Sequence, residues 1–143
     1  MKEQQFINPT VLTIDTSYSS DIKLESFCEP YKLVSEEDSC LKQVTPKFEF
    51  NGQVDAVKLS DRLTQTLKTN RAFGIAAPQC GLLHRVFVMG AEEEFITMFN
   101  PTIIEYSLET CHLEEGCLSF PFMFLSISRP KDVVVKYQDE KAT

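Results

Sequence analysis

The residues best suited to chemistry lie in the stretch Glu114 to Pro121, which reads Glu-Glu-Gly-Cys-Leu-Ser-Phe-Pro. Cys117 follows a glycine, so a metal ion or a substrate can approach the sulfur past little side-chain bulk. It also stands close to two carboxylates. A thiolate in such a place serves as a metal ligand or as a nucleophile. The alternative is a small buried apolar side chain, which is the commoner state of an isolated cysteine.

A second stretch, Gly74 to Gln79, reads Gly-Ile-Ala-Ala-Pro-Gln. Pro78 disfavours a continued helix, so the backbone should be extended or turning, and Gly74 allows another chain to approach closely. As a pair, the two stretches resemble the first two signature motifs of the peptide deformylases. The resemblance covers roughly residues 30–140.

The resemblance implies an activity and a role for each matched residue. Members of this family remove the formyl group from the N-formylmethionine of newly made proteins with the help of a divalent metal ion, Fe2+ first, with Zn2+ or Ni2+ as alternatives. Cys117 would be a metal ligand, while the Gln79 side-chain amide and the Leu118 backbone N–H would stabilise the oxyanion. Four residues would line the cleft for an extended formylmethionyl peptide: Gly74, Ile75, Glu115 and Gly116.

Simpler interpretations of two of these side chains stay open. Gln79 would equally suit a loop, where polar side chains commonly cap backbone groups. Glu115 is either an ordinary surface carboxylate or a group that orients a metal ligand, as carboxylates near metal sites commonly do.

The sequence departs from the family in lacking a His-Glu-x-x-Asp-His stretch, which in the family supplies two further metal ligands and the catalytic glutamate. The only histidines are His84, expected in a loop, and His112, five positions before Cys117. A local site made of His112 and Cys117 would be incomplete for metals that favour tetrahedral coordination, and as a nucleophile pair the two lack an orienting partner. We therefore expect a truncated or shortened deformylase with weak or no activity alone. The alternative is a non-catalytic peptide-binding module that uses the same cleft.

Two further differences from the family concern the surroundings of the motifs. Ala72 stands where the first motif usually begins with glycine, and Phe124 stands where many relatives carry a basic residue. These substitutions predict local changes in loop geometry and in the contacts made to a peptide.

The clearest secondary-structure pattern is a helix from Val54 to about Asn70. Apolar residues recur there at steps of three and four along one face: Ala56, Leu59, Leu63 and Leu67. Short strands are expected over residues 85–89, 95–99, 102–106 and 131–137, with Asn100-Pro101 breaking the chain between two of them, and residues 122–127 form an apolar run. One helix among hairpin-spaced strands predicts an α+β fold with antiparallel β-sheets, lacking the C-terminal metal-binding helix of the family.

The chain has 143 residues, a length typical of one domain, which we divide into a lead-in segment, 1–29, and a deformylase-like domain, 30–143. Its net charge of −7 and the lack of a basic cluster argue against a nucleic-acid partner. Five irregularly spaced cysteines predict reduced thiols. No leader or long apolar run is visible, so we expect a cytoplasmic protein without a membrane segment.

Without the family's last helix, which packs inside the sheet, a wide apolar face should remain open. We expect it to be covered by a partner chain, a second copy of this chain or a further piece of the same chain.

Overall fold

A computed structural model describes residues 28–143 and, for the backbone alone, the strand Lys2–Gln5. The apolar alternation at Val11 to Ile14, which would suit an edge strand or an unpaired lead-in, lies outside the described residues. Two 3-10 turns span Ser39–Lys42 and Ala77–Cys80. The longer elements are β1 (Lys2–Gln5), α1 (Ala56–Thr69), β2 (Gly74–Ala76), β3 (Val86–Ala91), β4 (Glu94–Tyr106), β5 (Thr110–Cys117), β6 (Phe120–Pro130) and β7 (Val133–Gln138).

The strands form two antiparallel sheets. Five of them lie in the order β1-β7-β4-β3-β2, which leaves β2 at one edge, and β5 pairs with β6 as a separate hairpin. Within the described residues α1 is the one α-helix, and no helix there has the length and apolarity that crossing a membrane would require. This architecture confirms the predicted α+β class.

Helix α1 confirms the pattern predicted over residues 54–70. The Asp55 carboxylate caps its first turn by accepting a hydrogen bond from the Lys58 N–H at 3.1 Å. The predicted apolar face is buried against the five-stranded sheet, where it meets side chains of β2, β3 and β4. The buried core formed there comprises Phe48, Leu59, Leu63, Leu67, Ile75, Ala77, Val86, Val88 and Phe99.

The predicted break at Asn100-Pro101 is wrong, because β4 runs without interruption from Glu94 to Tyr106. The strand absorbs the two residues as a bulge, seen as a register shift between Phe99 and Thr102. Asn100 adopts a φ of +52°, and Pro101, which has no N–H to offer, falls where the ladder is interrupted. The turn-forming character of the dipeptide is thus expressed as a kink inside one strand.

Asn100 also joins distant parts of the chain through its side-chain amide. Its Oδ1 accepts from the Phe48 N–H at 2.7 Å, and its Nδ2 donates to the Phe48 carbonyl at 3.0 Å and to the Gln138 Oε1 at 2.9 Å. One amide therefore holds the loop that contains Phe48, strand β4 and the end of β7 together.

One group of large apolar side chains is exposed in the second half of the described chain. The exposed side chains lie on the distal half of β4, in the loop that follows it, and on the β5–β6 hairpin. They include Ile103, Ile104, Tyr106, Leu108, Leu113, Phe120, Phe122, Met123, Phe124 and Leu125. What covers this surface in solution stays a prediction.

Replacing Asn100 with alanine should lower the free energy of unfolding by about 3 kcal/mol. The variant loses three hydrogen bonds. It also places alanine at a positive φ, a conformation that asparagine tolerates better. Asn51→Ala is the matched control, since the exposed Asn51 side chain accepts only from the Gln53 N–H, and we expect a loss below about 1 kcal/mol. Urea unfolding measures both variants, and equal losses would contradict the bridging role of Asn100.

Candidate active site

The two stretches singled out in the sequence meet between the edge strand β2 and the tip of the β5–β6 hairpin. The Gln79 Nε2 lies 3.7 Å from the Cys117 Sγ and 3.2 Å from the Ser119 Oγ, and donates a hydrogen bond to each. Gln79 and Cys117 are 38 residues apart in sequence. The fold therefore brings an amide donor and a thiol together at one point.

The orientation of the Gln79 amide is fixed by its other end. The Oε1 accepts a hydrogen bond from the Ala76 backbone N–H at 2.9 Å. Because that N–H can only donate, the oxygen of the amide must face it, and the two N–H groups must face the hairpin. Gln79 thus caps a loop with one atom and presents a donor to the Cys117 sulfur with the other.

Local backbone chemistry explains the turn that carries Gln79. Ala77–Cys80 forms a 3-10 turn with Pro78 near its start, where the missing N–H costs nothing. Gly81 ends the turn with a φ of +75°, and its N–H donates to the Pro78 carbonyl at 3.0 Å. A Cβ at Gly81 would also lie 3.1 Å from a methyl carbon of Val34, so a glycine suits this position twice over.

The segment that precedes the first 3-10 turn supports the Gln79 loop from outside. The Val34 N–H donates to the Gln79 carbonyl at 2.9 Å, and the Tyr31 N–H donates to the Thr66 Oγ1 of α1 at 2.8 Å. The Arg62 guanidinium lies 3.7 Å from the centre of the Tyr31 ring. The loop is therefore tied to α1 through a short extended segment.

Cys117 is the last residue of β5, and its side chain is exposed. All five cysteines are free, in agreement with the predicted reduced thiols. The neighbouring Cys80 is different, because burial raises the pKa of its thiol to about 11, and the positive charge of Arg62 offsets this only in part. Cys117 is thus the accessible thiol at this point, while Cys80 stays protonated.

Leu118 and Ser119 form the two-residue turn between β5 and β6. The Leu118 side chain is half-buried and packs against the core below β2. Ser119 is 8% exposed, and its hydroxyl accepts from the Gln79 Nε2. The turn that carries the Leu118 N–H is therefore held by two contacts, the Leu118 side chain against the core and the Ser119 hydroxyl against Gln79.

The residues of β2 play different parts in the fold. The Ile75 side chain is buried in the core, and its backbone pairs with Val88. Since the Gly90 N–H donates to the carbonyl just before Gly74, the alternation of an antiparallel ladder turns the backbone groups of Gly74 to the open edge. Gly74 therefore offers main-chain groups to an added strand, while Ile75 supports it from below.

Glu115 forms an ion pair with Arg129 across the hairpin. Both carboxylate oxygens accept hydrogen bonds from the guanidinium, with the Nη2–Oε2 distance at 2.7 Å. These hydrogen bonds, and secondarily the positive charge, hold the pKa of the Glu115 carboxyl below its ordinary value. Glu115 is thus occupied by a cation of its own chain, which favours its interpretation as a surface carboxylate.

Gly116 lies under an aromatic ring. A Cβ at this position would stand 3.0 Å from the Phe124 Cε1, so a side chain here would force the ring away. Phe124 is the residue directly opposite Gly116 in the hairpin register.

Neither histidine joins the site. His112 lies in the extended strand β5, which separates it from Cys117 by about 16 Å over five residues. The His84 ring packs against Phe48, and burial lowers the pKa of its imidazole. Over the described part of the chain no group of three His, Cys, Asp or Glu residues is placed to hold a metal ion. At that separation His112 and Cys117 form neither a local metal site nor a nucleophile pair, as the sequence argument indicated.

Sequence reasoning missed three contributors to the site. Ser119 lies within the cysteine stretch, but nothing in the spacing shows that its hydroxyl faces Gln79. The Ala76 N–H is a backbone group, and a sequence pattern does not show where a backbone group points. Arg129 lies 14 residues from Glu115 and opposite Cys111 in the hairpin register, so the two charged side chains meet diagonally across the hairpin face.

Comparisons with known proteins agree with this geometry. Residues 30–143 match the protein family described as polypeptide deformylase. A peptide deformylase of Thermotoga petrophila is 38% identical over 100 residues, which cover 70% of this chain and 60% of that protein. The chain thus spans less than two thirds of this relative's length.

Solved structures of similar proteins share the fold. The crystal structure of peptide deformylase from Thermotoga maritima matches with a TM-score of 0.74 and 34% identity, over 80% of this chain and 78% of that chain. A Met-Ala-Ser-bound peptide deformylase of Acinetobacter baumannii matches with a TM-score of 0.75 and 27% identity, over 81% and 80% of the two chains.

Replacing Arg129 with alanine should raise the pKa of the Glu115 carboxyl towards its ordinary value, because two hydrogen bonds and a positive charge are lost. A lowered native pKa stabilises the fold above the unfolded pKa, and this contribution disappears as the pH falls through the native pKa. The stability deficit of the variant should therefore shrink on acidification. A carbon-13 NMR titration of Glu115 measures the shift. Lys131→Ala, which removes the separate pair with Glu109, should leave Glu115 unchanged, and an equal shift there would refute the assignment.

Cys117 should react with a neutral alkylating reagent at pH 8 well before Cys80 does, because Cys117 is exposed while burial keeps Cys80 protonated. Peptide-level mass spectrometry after brief iodoacetamide treatment of the folded chain separates the two thiols. Prior modification of Cys80 would show that the Gln79 loop opens in solution.

Proposed function

We propose that the residues around Gln79 and Cys117 form the peptide cleft and one metal ligand of a hydrolase that removes formyl from N-formylmethionine. The premise is that the chain belongs to the polypeptide deformylase family. The observation that supports this most directly is the 3.7 Å approach of the Gln79 amide to the Cys117 sulfur. It unites the two family motifs at one point of the surface. The substrates would be formylmethionyl ends of nascent proteins, and the reaction would take place in the cytoplasm.

Cys117 suits a divalent metal ion such as Fe2+, Zn2+ or Ni2+, because its thiol ends a strand, is exposed and lies within reach of the Gln79 amide. In hydrolytic sites of this kind the bound ion lowers the pKa of a water molecule and polarises the carbonyl under attack. Cys117 would be one ligand of the set, and the described residues do not supply the others.

The contribution of the chain itself is to bind the substrate and to stabilise negative charge. The Gln79 Nε2 and the Leu118 N–H would donate to the formyl oxygen as it becomes an oxyanion, an effect of about 3 kcal/mol per fixed donor. Because the Ala76 N–H already fixes the amide, the nitrogen would keep its place, and one of its two N–H groups would exchange its present acceptor, Cys117 Sγ or Ser119 Oγ, for the oxyanion. The Gly74 backbone and the Gly116 side of the hairpin would hold the peptide in an extended conformation between them.

A second function keeps the cleft but not the chemistry. The open edge of β2 also suits a peptide-binding module that works without metal, because the Gly74 backbone offers main-chain groups to an added strand. Such a module would bind N-terminal segments through the same open edge of β2. Metal dependence separates the two functions.

Replacing Cys117 with serine should lower the metal retained by the chain by at least about tenfold, because the one ligand sulfur is lost. Equilibrium dialysis against Zn2+ or Ni2+ measures the retained metal. Cys111→Ser is the matched control, since Cys111 lies on the same strand β5 and should retain metal as the unaltered chain does.

A deformylase assay on a formylmethionyl peptide, with ferrous, nickel or zinc ion added, completes the test. We expect weak or no turnover by these 143 residues alone. Fast turnover would contradict the proposed ligand count. Metal-free chain that binds the peptide equally well with and without Cys117 would favour the binding module.

A further inference from the structure

Three phenylalanines, Phe120, Phe122 and Phe124, stand exposed beside Cys117 and are here called the aromatic lip. Phe120 is opposite Cys117 in the hairpin register, and Phe124 is opposite Gly116. Two successive residues of β5 are thus paired with residues four apart on β6. The three residues between them, Pro121 to Met123, have no partner on β5 and form an irregular projection of the strand.

The projection carries its side chains into solvent rather than into the core. Phe122 has a φ of +66° and is 98% exposed, and Phe124 is 70% exposed with its ring over Gly116. A bulky residue in a left-handed conformation and a bare aromatic ring are both unfavourable for the chain alone. Bulges that re-aim side chains are found next to functional sites, and strained residues cluster there.

The lip has a chemical character of its own. From Phe120 to Leu125 the sequence reads Phe-Pro-Phe-Met-Phe-Leu and contains no charged or amide side chain, in a chain whose net charge is −7. Such a surface offers a neighbouring ligand apolar contact and no ion pair. Polar and charged ligand side chains would lose water there without a partner.

We infer that the aromatic lip makes this cleft selective for formylmethionyl peptides whose second and third residues are apolar. The inference rests on the proposed function, in which Cys117 and Gln79 lie at the formyl end of the peptide. An extended strand advances about 3.3 Å per residue, so the residues after the methionine pass along the hairpin where Phe122 and Phe124 project. Their side chains would cover rings that are otherwise in water.

Two neutral peptide amides, formyl-Met-Leu-Phe and formyl-Met-Ser-Asn, test the selectivity by isothermal titration calorimetry with the unaltered chain. We expect the apolar peptide to bind about tenfold more tightly. The double variant Phe122→Asn, Phe124→Ser should bring the ratio close to one. Asparagine tolerates the positive φ at position 122 and so preserves the backbone. Leu108→Ser, at a 97% exposed apolar residue in the β4–β5 loop, should keep the ratio unchanged.

The single variant Phe122→Asn covers the case in which the double variant does not fold, because the Phe122 side chain is exposed and its loss creates no cavity. It should lower the ratio at least about threefold. Equal binding of the two peptides by the unaltered chain would overturn the lip's role and leave the proposed function standing.

Failure to bind either peptide would overturn both proposals. The lip would also be overturned as a peptide contact if the chain sedimented as a dimer that Phe122→Asn dissociates, since the aromatic rings would then serve self-association.

Discussion

The site depends on one side-chain amide whose two ends have incompatible partners. The Ala76 N–H demands an acceptor, so the Gln79 oxygen must turn inward and its nitrogen must turn to the hairpin. The nitrogen then meets Cys117 and Ser119, which belong to the β5–β6 hairpin. Since β5 and β6 pair only with each other among the described strands, this amide is a specific polar link between the two sheets. The Val34 and Pro78 backbone contacts hold the loop from which it projects.

The regular parts of the fold could be predicted because a single pattern determines each of them. Leucines at steps of four predicted α1, and the β-branched run from Val133 predicted β7. The course of β4 could not be predicted, since Asn100-Pro101 looks like a terminator to any local rule. Its continuation depends on Phe48 and Gln138, which satisfy the Asn100 amide from 52 and 38 residues away. Local preference was overridden by tertiary hydrogen bonds.

The composition of the site was accessible from sequence, but its arrangement was not. Gln79 and Cys117 came from the resemblance to a family, and the fold brings them together. The register of the β5–β6 hairpin decided the rest, because it places Glu115 and Arg129 on one face, where their side chains meet diagonally, and lifts Phe122 out of the strand. A register shift of three residues leaves no trace in alternation or composition. Ile75 illustrates the same limit. Neighbouring residues of a strand face opposite ways, so an error of one residue exchanges a position that faces the ligand for one in the core, where the Ile75 side chain lies.

The most direct test of this account is the nuclear Overhauser effect between the Gln79 side-chain amide protons and the β protons of Cys117. With the nitrogen 3.7 Å from the sulfur, we predict a clear cross-peak in the folded chain. We also predict that it persists on addition of salt, because a short contact fixed by a backbone donor does not depend on screened charge. A Gln79 amide whose protons show contacts only to the Ala76 loop, and none to Cys117 or Ser119, would contradict the joining of the two sheets at this point.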